Sequence, residues 1–219
     1  MNKEFKKRII SSVVLLPISL FVIIKGSFLF NLFLVLCFSL TIYEWYMMSK
    51  TKHYHLLGYI FLIFSFYSAF YLRNFLDEKS LMIFVITLII CISTDIGGYI
   101  FGKILKGPKL TKLSPKKTFS GMFGGFICSF FITFILIENS DLIFGQYIKW
   151  KIDLFVYIFF SSALSQIGDI TISFFKRLSK IKDTGKIIPG HGGILDRIDG
   201  IIFVFPFTYI IFKFNILTY

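Results

Sequence analysis

Seven apolar stretches run through this chain of 219 residues, and they constrain its fold more than any other feature. They cover roughly residues 9–25, 27–48, 56–72, 80–99, 119–137, 153–172 and 198–216. A helix of about 20 apolar residues is long enough to cross the hydrocarbon core of a bilayer. Because lipid offers no hydrogen-bond partners to open strand edges, the spanning segments must be helices. The sequence therefore predicts an all-α, polytopic integral membrane protein with about seven transmembrane helices, in agreement with its mean hydropathy of +0.78.

Positive charge is distributed unevenly between the two sides of such a bundle. The chain has 24 Lys and Arg against 12 Asp and Glu. If the helices alternate in direction, 18 basic residues fall on one side and six on the other, the six being Lys25, Arg73, Lys79, Lys149, Lys151 and Lys213. This bias predicts that the N-terminus and the basic loops face the cytoplasm, and it explains the charge without nucleic-acid binding. With no transit peptide or retention signal evident, we expect the bacterial cell (inner) membrane.

The polar residues divide the chain into two functional halves within one predicted membrane domain, residues 1–219. Residues 1–90 are mainly anchoring helices, and residues 91–219 carry the groups capable of chemistry. Glu44 is the exception in the first half. Its position beside Trp45 and Tyr46 favours an interfacial belt over a catalytic acid.

Aspartates beside or within the apolar stretches are candidate metal ligands. Asp95 follows LIICIST at the predicted end of the fourth helix, and Asp169 lies within the sixth. Ionised groups at membrane depth are costly, so they mark a cavity or a paired site; the alternative is a carboxylate that reaches the interface. Asp196 and Asp199 are three residues apart and would share a helix face. If Asp169 lies alongside, three carboxylates converge, and such hard oxygen ligands suit Mg²⁺.

Basic and glycine-rich segments accompany these carboxylates. SPKKT (Ser114–Thr118) and SFFKR (Ser173–Arg177) supply cations and hydroxyls, and PGHGG (189–193) has glycines whose backbone amides are free to face an anion. A basic loop alone is also explained by attraction to anionic lipid. In combination, the segments predict a phosphate-rich substrate and a divalent cation at the membrane surface.

Two long segments resemble a known family. SFFKRLSKIKDTGKIIPGHGGILDRID (173–199) resembles the signature of the phosphatidate cytidylyltransferases, also called CDP-diacylglycerol synthases. STDIGGYIFGKILKGPKLTKLSPKKTFSG (93–121) resembles the family's Asp-Thr-Gly-Ala-Tyr and Ser-Pro-Lys-Lys-Thr-x-x-Gly segments, with departures at Ile96 and Gly98. KKRIISSVVLLP and the Glu-Trp pair also look like the family, so the resemblance covers most of a chain whose first half is short for it.

The resemblance implies that the cytidylyl group of CTP is transferred to phosphatidate, giving CDP-diacylglycerol and pyrophosphate in phospholipid biosynthesis. It also implies Mg²⁺, a second cation such as K⁺, contact with membrane lipids, and a homodimer. We assign catalytic roles to Asp169, Lys176, Asp196 and His191, and metal binding to Asp169, Asp196 and Asp199. The residues assigned to substrate are Asp95, Tyr99, Ser114, Lys116, Lys117, Thr118, Ser173, Arg177 and Arg197. Two roles stay open for His191: donating to pyrophosphate, or bracing its turn.

Rival functions make different demands on the sequence. A CTP-dependent kinase acting on a polyprenol or phytol would also need metal, lysines and a membrane cavity, but would release CDP. A CDP-alcohol phosphotransferase needs four acidic residues in one longer motif that this sequence does not contain. A transporter, or a scaffold without catalytic activity, would need neither PGHGG nor SPKKT, whereas an inactive family member would retain both.

Overall fold

A computed structural model of the protein describes residues 3–76, 79–111, 114, 116–148, 150–188, 190, 192–214 and 216, with side chains from residue 13 onwards. Its helices are α1 (Lys3–Lys25), α2 (Ser27–Ser49), α3 (His55–Asn74), α4 (Ser80–Ile104), α5 (Phe119–Glu138), α6 (Ser140–Phe144), α7 (Ile152–Leu178), α8 (Leu195–Ile198) and α9 (Ile201–Lys213). Over these described ranges the only β-pairing is two isolated bridges, Lys109 with Thr118 and Ile188 with Gly192.

The helices confirm an all-α, polytopic membrane fold. Each of the seven predicted apolar stretches lies largely on a helix. By length and composition, α2, α3, α4, α5 and α7 are able to cross a membrane, and Val13–Lys25 and Ile201–Lys213 form shorter apolar helices. Large hydrophobic side chains such as Leu32, Phe131 and Phe159 are exposed on the outside of the bundle. Lipid tails are as apolar as these side chains, so a lipid-facing surface tolerates them.

Helix α4 is longer than the sequence predicts. It continues through Asp95 to Ile104, so the prediction that it ends at Asp95 is wrong. The glycines beyond Asp95 do not break the helix but let α5 approach it: a Cβ on Gly97 would overlap the Gly124 carbonyl oxygen and lie 2.6 Å from Cys128 Cβ. Close packing through small residues is characteristic of membrane helices. Asp95 is therefore held inside a packed helix rather than in a loop.

Buried hydroxyl groups connect α4, α7 and α9 in the interior. Tyr157 Oη lies 2.7 Å from Thr87 Oγ1 and 3.0 Å from Thr208 Oγ1. Nearer the site, Thr94 Oγ1 donates to Ser162 Oγ at 2.8 Å. Such bonds between helices satisfy polar groups that lipid cannot, and they position α7 against α4.

The chain reverses sharply after α7, where the glycine-rich segment that connects α7 to α8 begins. Lys180 has a left-handed φ of 56°, and the Ile181 amide donates to the Lys176 carbonyl at 3.0 Å, the arrangement of a Schellman cap. Further on, Gly190 and Gly192 have φ values of 78° and 90°. Side-chain-bearing residues rarely adopt these values, so glycine is needed for the turn that directs the chain back toward α8.

Candidate active site

A cavity of about 290 Å³ opens beside α4, α5 and α7. Seven of the residues assigned from sequence line it together: Asp95, Tyr99, Ser114, Lys116, Lys117, Thr118 and Asp169. The rest of its lining comprises Thr94, Gly98, Leu110, Gly121, Met122 and Gln166. The structure thus joins two motifs that are far apart in sequence into one polar cavity with both ammonium and carboxylate groups.

Lys117 is the basic group best fixed in this cavity. Its Nζ lies 2.5 Å from Asp169 Oδ2 and 3.4 Å from the Gln166 carbonyl oxygen, both on α7. The next residue, Thr118, caps α5, because its Oγ1 accepts a hydrogen bond from the Gly121 amide at 3.1 Å. The cap sets the direction in which the chain enters α5 and so places Lys117 opposite α7.

A second lysine–aspartate pair lies between α7 and α8. Lys176 Nζ is 2.7 Å from Asp196 Oδ1, and both side chains are largely buried. Asp196 Oδ2 also accepts hydrogen bonds from the Thr184 amide at 2.8 Å and the Gly193 amide at 3.1 Å. Asp196 lies outside the membrane-spanning helices. Burial alone would raise its pKa, but the bonds from Lys176 and the two amides outweigh this effect and hold the pKa below the usual range.

The carboxylates of Asp95, Asp169 and Asp199 lie near one another where α4, α7 and the start of α9 meet. Asp95, Asp169 and Asp199 are close enough for their negative charges to repel. Gly168 permits the approach, since a Cβ there would lie 2.6 Å from the Asp199 carbonyl oxygen. The positive charge of Lys117 partly offsets the repulsion at both Asp95 and Asp199.

These carboxylates do not form a complete cage for a metal ion. In the part of the chain that the structure describes, no group of three or more His, Cys, Asp and Glu side chains is arranged to hold one. The predicted convergence of Asp169, Asp196 and Asp199 into one cluster is therefore not found: Asp196 is paired with Lys176, and Asp199 faces Asp169. The donor set fits Mg²⁺ bound by one or two carboxylates with substrate phosphates and water completing its shell.

Ser173, Arg177 and Arg197 were assigned to substrate from the sequence but do not line the cavity. Ser173 is nearly buried and donates to Asp169 Oδ1 at 3.4 Å. Arg197 is exposed, and its charge acts on Asp95. Arg177 is also exposed, but its Nη1 donates to the Ile181 carbonyl at 3.2 Å, outside the cavity lining. The prediction for His191 lies outside the described residues.

Glu44 lies in a different environment from the one that the sequence predicted. Its side chain is only 1% exposed, so the prediction of an interfacial belt is wrong. The carboxylate accepts hydrogen bonds from the Ile194 and Leu195 amides beside Asp196. The available signal was its isolation, because no other acidic residue occurs between Glu4 and Asp77 and a lone carboxylate in apolar sequence needs a partner.

The fold and the cavity together define a class: helical membrane proteins with a cavity that brings lysine, hydroxyl and carboxylate groups together. Comparison with known proteins narrows the class. A sequence model described as the Cytidylyltransferase family matches residues 54–215. The chain belongs to this family.

Several curated relatives are similar to this chain, and the two from Rickettsia are similar over most of their length. The phosphatidate cytidylyltransferase of Rickettsia bellii (strain RML369-C) is 38% identical over 209 residues, which cover 93% of this chain and 89% of that protein. The protein of the same name from Rickettsia typhi (strain ATCC VR-144 / Wilmington) is 36% identical over 208 residues, covering 91% and 88%. One from Staphylococcus haemolyticus (strain JCSC1435) is 40% identical over 114 residues, covering 52% and 42%.

Proposed function

We propose that this protein is a phosphatidate cytidylyltransferase, which transfers the cytidylyl group of CTP to phosphatidate and releases pyrophosphate. The observation that carries the proposal is the cavity where Lys117 and Asp169 meet, in a chain whose relatives over most of its length have this name. A CTP-dependent lipid kinase is not favoured, because the matching family and these relatives are cytidylyltransferases.

The reaction requires positioning more than proton transfer. An oxygen of the ionised lipid phosphate attacks the α-phosphorus of CTP; the new P–O bond forms as the bond to the β-phosphate oxygen breaks. Pyrophosphate leaves with that electron pair, so no protein nucleophile or strong general base is needed. The protein must align two anions that repel each other and neutralise the leaving group.

The lysines of the cavity are suited to that task. We assign Lys116 and Lys117 to substrate phosphates, with Ser114 and Thr118 beside them and Asp95 and Tyr99 across the cavity. Lys117 is held by Asp169, which keeps its ammonium group inside the cavity when no anion is bound. Ser173, Lys176, Arg177 and Arg197 are proposed to act on phosphate groups from the α7 and α8 side.

Asp169, Asp196 and Asp199 are the residues proposed to hold Mg²⁺, one or two of them at a time, with substrate phosphates and water completing the shell. A divalent cation held by these residues would supply positive charge to the phosphates and to the leaving pyrophosphate. The mutual repulsion of Asp169 and Asp199 supports this assignment, because positive charge nearby would relieve it. A second cation such as K⁺, a homodimer and a role for His191 stay predictions from the resemblance.

We further propose that the cavity opens toward the cytoplasm of a bacterial cell, at the inner membrane. The charge bias of the loops supports this orientation. The Rickettsia and Staphylococcus relatives support a bacterial setting. Phosphatidate would then reach the cavity from the surrounding bilayer.

Pyrophosphate release tests the proposal. Purified protein in detergent micelles is supplied with CTP, phosphatidate and Mg²⁺, beside a reaction without lipid and beside the Asp196→Asn variant. We expect release only when both substrates and the aspartate are present. Release without lipid, full activity of Asp196→Asn, or CDP formation from a polyprenol would contradict the proposal.

A further inference from the structure

Glu44 brings a carboxylate from the predicted anchoring half of the chain to the edge of the site. It lies near the C-terminal end of α2, outside residues 54–215 that match the family. Its neighbours Tyr43 and Tyr46 are about half exposed, whereas Glu44 itself is buried. An ionised carboxylate is costly to bury unless hydrogen bonds compensate it, so its partners indicate what it does.

Among the described residues, three hydrogen-bond donors contact Glu44, and they come from the glycine-rich segment and α8. Oε1 accepts from the Ile194 amide at 2.9 Å. Oε2 accepts from the Leu195 amide at 2.9 Å and from Thr184 Oγ1 at 2.8 Å. These donors are 140 to 151 residues away in sequence, so Glu44 fixes a distant segment rather than its own helix.

Thr184 connects Glu44 directly to Asp196. The Thr184 amide donates to Asp196 Oδ2 at 2.8 Å, and Thr184 Oγ1 lies 3.1 Å from the same oxygen. Because a hydroxyl has one proton, it donates to one carboxylate at a time and is held between the two. On the other oxygen of Asp196, Oδ1 accepts a hydrogen bond from Lys176 Nζ at 2.7 Å.

Two glycines make room for this carboxylate. A Cβ on Gly185 would lie 2.7 Å from Glu44 Oε1. A Cβ on Gly193 would overlap both Glu44 Oε2 and Thr184 Oγ1. Gly185 and Gly193 therefore let the backbone of the glycine-rich segment pack closely against Glu44.

We propose that Glu44 is a positioning residue for cytidylyl transfer: it fixes Thr184 toward one end of the glycine-rich segment and Ile194 and Leu195 at the other, and thereby orients the Asp196 carboxylate. The inference rests on the proposed function of Asp196. Glu44 acts through Thr184 and through the Ile194 and Leu195 amides, without contacting substrate itself. Residues that orient a metal-binding or catalytic group in this way typically contribute about 10- to 100-fold to metal affinity or activity.

The test compares Glu44→Gln with Glu138→Gln. Glutamine keeps the size of Glu44 but turns an NH₂ group toward donors that need an acceptor. Glu138 is a matched control, since its carboxylate accepts one hydrogen bond from Trp150 Nε1 at 2.7 Å at the far end of α5, away from the cavity. Thr184→Val is the second variant: it keeps both amide bonds to Glu44 and removes the hydroxyl that is held between Glu44 Oε2 and Asp196 Oδ2.

Three readouts separate positioning from loss of folded protein. For Glu44→Gln we expect kcat to fall by about 10-fold or more, and the Mg²⁺ concentration for half-maximal activity to rise. Trypsin should cut faster after Lys186, which is exposed between Thr184 and Leu195, and after Lys182, which is exposed just before Thr184. Less folded protein would lower the maximal rate without shifting the Mg²⁺ dependence. Thr184→Val should show a smaller change in the same direction, and Glu138→Gln none.

Other outcomes are equally decisive. Wild-type values of kcat and Mg²⁺ dependence in both Glu44→Gln and Thr184→Val would overturn the inference while leaving cytidylyl transfer intact. A wild-type protein that releases no pyrophosphate would instead overturn the proposed function. Trypsin cleavage, which needs no turnover, would then still report whether Glu44 holds the segment; unchanged cleavage in Glu44→Gln would overturn that part as well.

Discussion

Each of two lysines at the site is held by one aspartate, and this pairing explains how cations stay in place before substrate arrives. Lys117 is paired with Asp169 and Lys176 with Asp196. A long lysine side chain loses considerable rotamer freedom when it binds an anion, about 1.5–2 kcal/mol when fully ordered. Ordering the lysines in advance reduces that cost when a phosphate binds.

Lys117→Met should weaken the use of CTP. The substitution keeps an unbranched side chain but removes the charge from the phosphate-binding cavity. Hydrogen bonds to charged groups contribute about 1.5–3 kcal/mol, so kcat/KM for CTP should fall by about 10- to 100-fold. Lys109→Met is the control, because Lys109 is exposed on the same loop and does not line the cavity. Equal kcat/KM values for both variants in a pyrophosphate-release assay would contradict this role.

The environment of Asp196 predicts how its contribution to stability depends on pH. Folding lowers the pKa of this carboxyl from its ordinary value of 3.8. A lowered pKa contributes stability that is fully present above the unfolded value and is lost as pH falls through the folded one. The difference in thermal midpoint between wild type and Asp196→Asn in detergent should therefore be constant from pH 8 to about 5. It should shrink as pH falls below about 5 and on through the folded pKa; a steady change across neutral pH would contradict the lowered pKa.

At the level of helices, the close approach of α4 and α5 forms one wall of the cavity. Gly97 faces α5 without space for a side chain, whereas a Cβ on the adjacent Gly98 would have its nearest neighbour at 3.7 Å, an ordinary contact. This difference between two neighbouring glycines makes the packing testable. Both residues lie in α4, so helix propensity affects them equally.

Gly97→Ala should lower the thermal midpoint in detergent, and Gly98→Ala should not. Overpacking typically costs about 1–3 kcal/mol, while alanine in a helix gains up to about 1 kcal/mol over glycine. We therefore expect a net loss for the first variant and a neutral or small positive effect for the second. Similar midpoints for both variants would show that α4 and α5 are not in close contact at Gly97.

Hydropathy predicted where the helices lie but not where α4 ends. Apolar runs report transfer into lipid, which is a property of the local sequence. The predicted end at Asp95 followed from the local sequence, and the glycines beyond it are poor helix formers in water. In the folded protein they are contact points for α5, a tertiary effect that no local pattern encodes.

For the whole molecule, the sequence motifs named residues of the cavity but not the contacts between distant segments. The cavity is lined by Asp95, Ser114, Lys116, Lys117, Thr118 and Asp169, which were assigned from the sequence one motif at a time. The pairing of Lys176 with Asp196, and the bonds of Glu44 to α8, join segments far apart in the chain. Such contacts depend on how α2 packs beside α8, which hydrophobic periodicity does not specify.

The central claim is that the α-phosphorus of CTP is transferred to a lipid phosphate. The most direct measurement supplies purified protein with phosphatidate, Mg²⁺ and CTP that is radiolabelled at either the α- or the γ-phosphate, and follows the label into the lipid fraction. Cytidylyl transfer predicts α-label in the lipid and γ-label in pyrophosphate, with both lost in Asp169→Asn. Lipid carrying γ-label, or no label under either condition, would contradict the account.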